Sequence, residues 1–286
     1  MIRHLLQLIW NQRKQNAWLW AELLLVSVFL WFLVDYLYVM GRTYTAPLGF
    51  DIRHTYSIVI SSLSERSPDY IPKEKRERPD GVHLLTALDR IRTYPGVESA
   101  CLTDGGMPYY MGSRNLVWRI DTLQVPCRYA FVTPEFFDVF RIYDKDGKTA
   151  SLKRAIEDNN SIVISADVET MNPGLSLLGQ KAYRGNVTDE IEETIRGISV
   201  PIRRHEYTKA EPNVYRALRL SRMEEGYYEG MIDAVRLCVR VRPDVDNADF
   251  PTRFRKDMAE QLRLGNLYLL DVQPVSYTHL RAHETD

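Results

Sequence analysis

The chain has 286 residues, 26% of them charged and 45% hydrophobic, with 37 Lys and Arg against 38 Asp and Glu and a formal net charge of -1. That balance gives no reason to expect nucleic acid as a partner, and a mean hydropathy of -0.31 is the composition of a soluble protein, one segment excepted. The three cysteines, Cys101, Cys127 and Cys238, stand far apart and never as CxxC, so no metal or redox motif is present.

In chain order, Ile2, Leu5, Leu6 and Ile9 recur at helical spacing with Trp10 beside them, while Arg3, Gln7, Asn11 and Lys14 fall elsewhere around the turn. This pattern predicts an amphipathic helix over 1–16 that rests on the inner surface of a membrane; its alternative is a simple continuation of the helix that follows. Residues 17–40 are mostly apolar and, at about 1.5 Å per residue, would measure roughly 36 Å against a hydrocarbon core of about 30 Å. Trp18 and Trp20 near one end, and Trp31, Tyr36 and Tyr38 near the other, mark the two interfaces. Arg3, Arg13 and Lys14 precede the run with no acidic residue among them, which places the N-terminus in the cytoplasm and the residues after Arg42 outside. A cleaved signal peptide would carry a shorter apolar core and a small-residue cleavage site, and Gly41-Arg42-Thr43-Tyr44 is a poor one. Glu22 and Asp35 interrupt the run on different sides of the helix; they either reach toward the interfaces or face partner helices.

Beyond the span, 54–61 predicts a first strand, and the proline- and charge-rich stretch 64–81 a solvated loop. Asp80 is expected to cap a helix carrying Val82, Leu85, Leu88 and Ile91, ended by Pro95-Gly96, with a second strand over 97–103. Strands follow at 116–120 and 125–133, then a short helix opened by Pro134, a polar turn at Asp144-Lys145-Asp146-Gly147, a buried strand from Ser161, and another over 197–204. The middle of the chain reads as a strand-rich insertion. From Ala234, Val235, Leu237, Val239 and Val241 alternate with Arg236, Cys238, Arg240 and Arg242, the period of a strand with one buried face. Asn247 is then expected to cap a helix with Phe250, Phe254, Met258 and Leu262 at spacing four, closed by Gly265-Asn266, before a last strand over 267–272. The fold class is α+β: a membrane helix, then two β-α-β units on either side of the insertion.

Neither GxxxxGK[ST], HExxH nor GxSxG occurs, and no catalytic, cofactor-binding or metal-binding residue is assigned; the expectation is a protein that is not an enzyme. His279 and His283 stand four apart without an acidic or thiol partner of clear geometry. In an oxidising exterior one pair of the three cysteines could bond and leave the third free, and three buried thiols fit the sequence equally well.

The opening NQRKQNAWLWAELLLVSVFLWFLVDYLYV, the segment VTPEFFDVFRIYDKDGKT, the strand SIVISADV, and VRVRPDVDNADFPTRFRKDMAEQLRLGNLYLLDV resemble permease subunits of the MacB/FtsX type of ABC transporter over roughly residues 1–274. The resemblance implies a cytoplasmic interfacial helix (1–16), a transmembrane helix (17–40), a periplasmic porter-like part (42–132), an inserted sabre-like part (133–230) and a second porter-like part (231–274). It implies a permease of the bacterial inner membrane, in contact with lipid, that couples ATP hydrolysis by a separate ABC ATPase subunit to export, as a homodimer or paired permease with a periplasmic adaptor. Such permeases continue into three more membrane helices, and residues 275–286 resemble a translated adapter sequence, so a truncated chain with a non-native tail is expected. The alternative is a single-span signalling or regulatory protein whose outer domain senses a ligand or activates a cell-wall hydrolase.

Overall fold

The computed structural model describes residues 10, 17–110, 112, 114–185, 190–229 and 232–277. The helix expected over 1–16, Trp10 excepted, and the His279/His283 pair lie outside the described residues. Two units are present, one built on a single long helix and one that begins at Leu48 and carries every described strand. Helix α1 (Ala17–Thr45) runs five residues past the expected end of the span, and none of its residues is buried. Its one 18-residue window of strong apolarity has a mean hydropathy of 2.2, long and apolar enough to cross a membrane.

The second unit opens with β1 (Thr55–Ser62), α2 (Asp80–Arg92) and β2 (Val97–Asp104), and closes with β9 (Val235–Val241), α7 (Phe250–Met258) and β10 (Leu267–Pro274). These strands form an antiparallel layer in the order β10-β1-β9-β2. Each β-α-β unit therefore brackets one strand of the other, a split β-α-β arrangement of the ferredoxin-like kind. Both helices lie on one face: Leu84, Ala87, Leu88 and Ile91 of α2 and Phe250, Phe254 and Met258 of α7 form one core with Ile58, Leu102, Leu237 and Val239 of the sheet. The buried stripe of α2 is thus Leu84-Ala87-Leu88-Ile91; a spacing of strict threes drifts around a 3.6-residue turn, and Val82 is left half-buried.

Three expectations are corrected at the helix starts and strand faces. Asp80 is the first residue of α2, its N-cap position is Pro79, and its carboxylate pairs with Arg76 at 3.0 Å. Asn247 supplies a carbonyl to the Phe250 N–H at 3.0 Å, while the N-cap position of α7 is Asp249. β9 is buried on both faces, not one, since Cys238 and Arg240 are as inaccessible as Val239 and Val241.

Between β2 and β9 lie β3 (Arg114–Ile120), β4 (Leu123–Val132), α3 (Phe136–Val139), α4 (Ala150–Ala155), β5 (Ser161–Ser165), α5 (Asp167–Met171), β6 (Lys181–Arg184), β7 (Ile191–Ser199), β8 (Asn213–Ala217) and α6 (Leu220–Glu224). The expected strand over 197–204 is the end of β7, because Pro201 cannot donate to a ladder. Pairing runs β4-β3-β6-β7-β5-β8, and the parallel pairing of β8 with β4 closes the ring into a six-stranded barrel. All six strands send side chains into it, among them Trp118, Cys127, Ile164, Ala182, Ile195 and Val214. The hairpin β3–β4, left with the first porter-like part by a boundary at 132/133, is therefore part of this barrel. β4 also pairs with β2 through Thr103–Val132 and Asp104–Phe131, which joins barrel and layer. A third core, with Phe136, Phe137 and Phe140 at its centre and Cys101, Cys238, Val163 and Tyr215 around it, fills the space between them.

Two close arrangements give direct tests. A Cβ at Gly81 would lie 2.3 Å from the Met223 carbonyl oxygen. Gly81→Ala will therefore push α2 away from α6 and cost about 1–3 kcal/mol in chemical denaturation. In the turn after α3, the Asp144 carboxylate accepts the N–H groups of Asp146 (2.9 Å) and Lys148 (2.8 Å) and the Ser151 hydroxyl. Burial pushes its pKa up, but these donors outweigh burial and hold it below the usual carboxylate value. A depressed folded value adds stability that is complete above the unfolded pKa of about 3.9 and is lost as pH falls through the folded one. Asp144→Asn will be less stable than the parent chain above about pH 5, and the gap will shrink as the pH falls below about 4. Denaturation midpoints at a series of pH values check this.

Candidate functional site

The segment that leads from α1 into the second unit, residues 48–54, is tied down at several points. It is held by main-chain bonds on both sides: the Asp51 N–H donates to the Phe140 carbonyl at 2.8 Å, and the Arg203 N–H donates to the Leu48 carbonyl at 3.0 Å. Its main anchor is Arg240 of β9, whose side chain is fully buried. Inward alternation on β9 aims Arg240 away from the helices and toward this segment. Its guanidinium donates to the carbonyls of Val139 (2.7 Å), Arg53 (2.8 Å) and Asp51 (2.5 Å). Burial and then repulsion from Arg141 lower its pKa, opposed by the attraction of Asp51 and Glu98. One side chain thus ties the entry segment and the end of α3 to the middle of the sheet.

Beside it, Asp246 gathers two donors from the start of β1. The His54 ring donates through Nδ1 to one carboxylate oxygen and the Tyr56 hydroxyl donates to the other. Burial, then the bond to Asp246, pushes the Tyr56 pKa well up. His54 itself has φ of 60°, the left-handed region, so the chain turns sharply just as it enters the sheet. Asp51 accepts the Arg53 backbone N–H at 2.8 Å and its side chain at 2.9 Å. Burial raises its pKa, but the Arg53 bonds and the charge of Arg240 outweigh burial and leave it below the ordinary value.

On the sheet face opposite α2 and α7, Ser57, Val59, Tyr110, Arg236, Asp271 and Gln273 line an open cleft of about 720 Å³. Its walls mix two cations, Arg236 and Arg255, one carboxylate and neutral groups, and carry no nucleophile–base pair. Among the described residues no group of three or more His, Cys, Asp or Glu could hold a metal ion. The three cysteines are buried free thiols in this structure. Cys101 and Cys238 face each other across β2 and β9; burial and then the neighbouring Cys238 thiol push Cys101 well up, and burial pushes Cys127 up to about 12. Glu22 and Asp35 are exposed on α1. The sequence reading assigned no role to Arg240, Asp246 or Glu193; the alternation of β9 placed Arg240 on the polar side of the strand, and its burial is seen only in the structure.

Comparison with solved structures bears on this architecture. A domain of a protein described as a permease, from Porphyromonas gingivalis, aligns over 80% of this chain and 92% of its own length with a TM-score of 0.50 and 17% identity. The two share a fold. The periplasmic region of MacB from Actinobacillus actinomycetemcomitans aligns over 86% of this chain and 99% of its own, with TM-score 0.45 and 10% identity. The extracellular domain of the noncanonic ABC-type transporter YknZ from Gram-positive bacteria aligns over 75% and 100%, with TM-score 0.44 and 12% identity. No family model matches the sequence, and no curated protein matches it. The α+β reading, an apolar N-terminal helix followed by a unit with a strand-rich insertion, stands.

Proposed function

We propose that this chain is the membrane-embedded permease subunit of a MacB/FtsX-type export system, with its layer-and-barrel unit on the outer side of the bacterial inner membrane. ATP hydrolysis takes place on a separate subunit, and the outer unit moves rather than catalyses. The observation that carries this reading is the order of parts: a helix long and apolar enough to cross a membrane, followed directly by a unit whose fold is shared with a permease domain. The buried Arg240 anchor supports it, because a load delivered through the entry segment reaches the sheet without first straining an exposed loop. Lipid around α1, a second permease copy and a periplasmic adaptor complete the proposed assembly.

The test is purification of the full chain from detergent-solubilised membranes of its native host, followed by measurement of ATP hydrolysis. Hydrolysis that travels with a second polypeptide and is lost when that polypeptide is stripped away supports the proposal. Hydrolysis by the isolated chain, or a complex in which a histidine kinase or wall hydrolase replaces the ATPase, overturns it.

A further inference from the structure

One end of the barrel is closed by charge instead of hydrocarbon. The alternation that sends Ala182, Ile195 and Val214 into the barrel core sends Arg184, Glu193 and Arg216 inward at the neighbouring positions two residues away. Around that end five arginines (Arg114, Arg184, Arg216, Arg219 and Arg222) line a cavity of about 40 Å³ together with the Asp104 carboxylate and three aromatic rings. By the volume a water needs, this holds roughly three waters, the space taken by one tetrahedral oxyanion.

The positive charges there exceed their partners. Arg114 pairs with Asp104 at 3.0 Å, and Glu193, almost fully buried, accepts from Arg216 Nε at 2.7 Å. Arg184 Nε lies 3.3 Å from the same carboxylate without the alignment of a hydrogen bond. Arg219 donates only a long 3.4 Å bond to the Asn159 carbonyl, and Arg222 stacks 5.2 Å over Tyr227. Among the described residues, five guanidinium groups therefore meet two carboxylates around one small space, an excess of three positive charges. Burial is the chief cause that lowers the Arg216 pKa; Glu193 opposes it, and the charges of Arg184 and Arg219 lower it further. Planar guanidinium forks facing a cavity of this size match the oxygens of a phosphate.

We propose that this end of the barrel binds a phosphate group, either the free ion or a small phosphate monoester. The inference stands on the cavity and its arginines and is independent of the transport reading. Bound there, a phosphate would bridge Arg114 beside the layer, Arg184 and Arg216 of the barrel and the α6 segment, so its occupancy would stiffen the joint between them.

The full chain in a maltoside detergent, at constant ionic strength set with chloride, is titrated calorimetrically with inorganic phosphate and, separately, with glycerol phosphate. Saturable binding of one equivalent is expected. The exposed and half-buried pair Arg219→Ala/Arg222→Ala should weaken it at least tenfold, Arg219→Lys/Arg222→Lys should restore part of it, and Arg196→Ala, outside the cavity, should leave it unchanged. A stronger response to the ester than to the ion assigns the site to an esterified ligand, and the reverse assigns it to the free ion. No saturable heat with either probe, or affinity unaltered in a double-alanine variant whose circular dichroism matches the parent, overturns the proposal.

Discussion

Replacing Arg240 by methionine will lower the unfolding free energy of the outer unit by about 3–5 kcal/mol, the scale for removing one side of a buried charged network. Methionine keeps much of the stem's packing volume, so the loss comes from polarity. Three carbonyls, of Asp51, Arg53 and Val139, lose a charge-assisted donor, the Val139 bond being buried and the other two part-buried, and a buried acceptor without a partner costs about 1–3 kcal/mol. The effect should be local as well as large. Amide exchange in the entry segment and in α3 should rise before that of α2 and α7, whose core contains no Arg240 contact. Denaturation of the full chain in detergent measures the first effect, with Trp118, the one tryptophan outside the N-terminal region, as reporter; exchange mapped by mass spectrometry measures the second. A loss under about 1 kcal/mol would mean that the anchor is replaceable.

Glu193→Ala should be about as severe, at about 3–5 kcal/mol. Its carboxylate compensates Arg216, whose side chain is 8% exposed, and lies beside Arg184 at 19%, while its other oxygen accepts the Trp118 indole N–H at 3.3 Å. Removing it leaves two guanidinium groups repelling each other at one end of the barrel with Arg219 close by. Glu193→Gln, which keeps an acceptor for Trp118 but not the charge, should lie between alanine and the parent. Trp118 reports directly, since its ring is fully buried in the barrel. A shifted emission in the alanine variant at low denaturant would place the opening in the barrel, whereas unfolding of the whole chain in one step would place barrel and layer in one cooperative unit.

These two residues also mark where the sequence is readable and where it is not. The split β-α-β layer follows from short-range periodicity: Phe250, Phe254 and Met258 recur at helical spacing and are buried as that spacing implies, and Ser161–Ser165 is buried throughout. The barrel's closure is different, because it depends on the parallel pairing of Arg128–Val132 with Asn213–Ala217, residues far apart whose partnership no local pattern encodes. That is why the β3–β4 hairpin sits in the barrel and not with the first β-α-β unit. Arg240 and Glu193 were hidden for a further reason. A charged residue in a strand signals a solvated face only when no buried partner awaits it, and the partners here are main-chain carbonyls from distant segments and two arginines on other strands. The helix caps failed for the opposite cause: Asp80 and Asn247 have the right residue types at the right places, but Pro79 and Asp249 hold the cap positions.

The account rests on a tethered unit that works outside the membrane. Because the native cysteines are all buried, a cysteine introduced at exposed Lys145 gives a clean target for a membrane-impermeant maleimide, and one introduced at Gln12 gives its counterpart on the other side of the span. In bacterial spheroplasts the first should be labelled without lysis and the second only after it, with both chains sedimenting in the membrane fraction. Labelling in the reverse order, or a chain that stays in solution without detergent, would contradict the proposed placement and the transport role built on it.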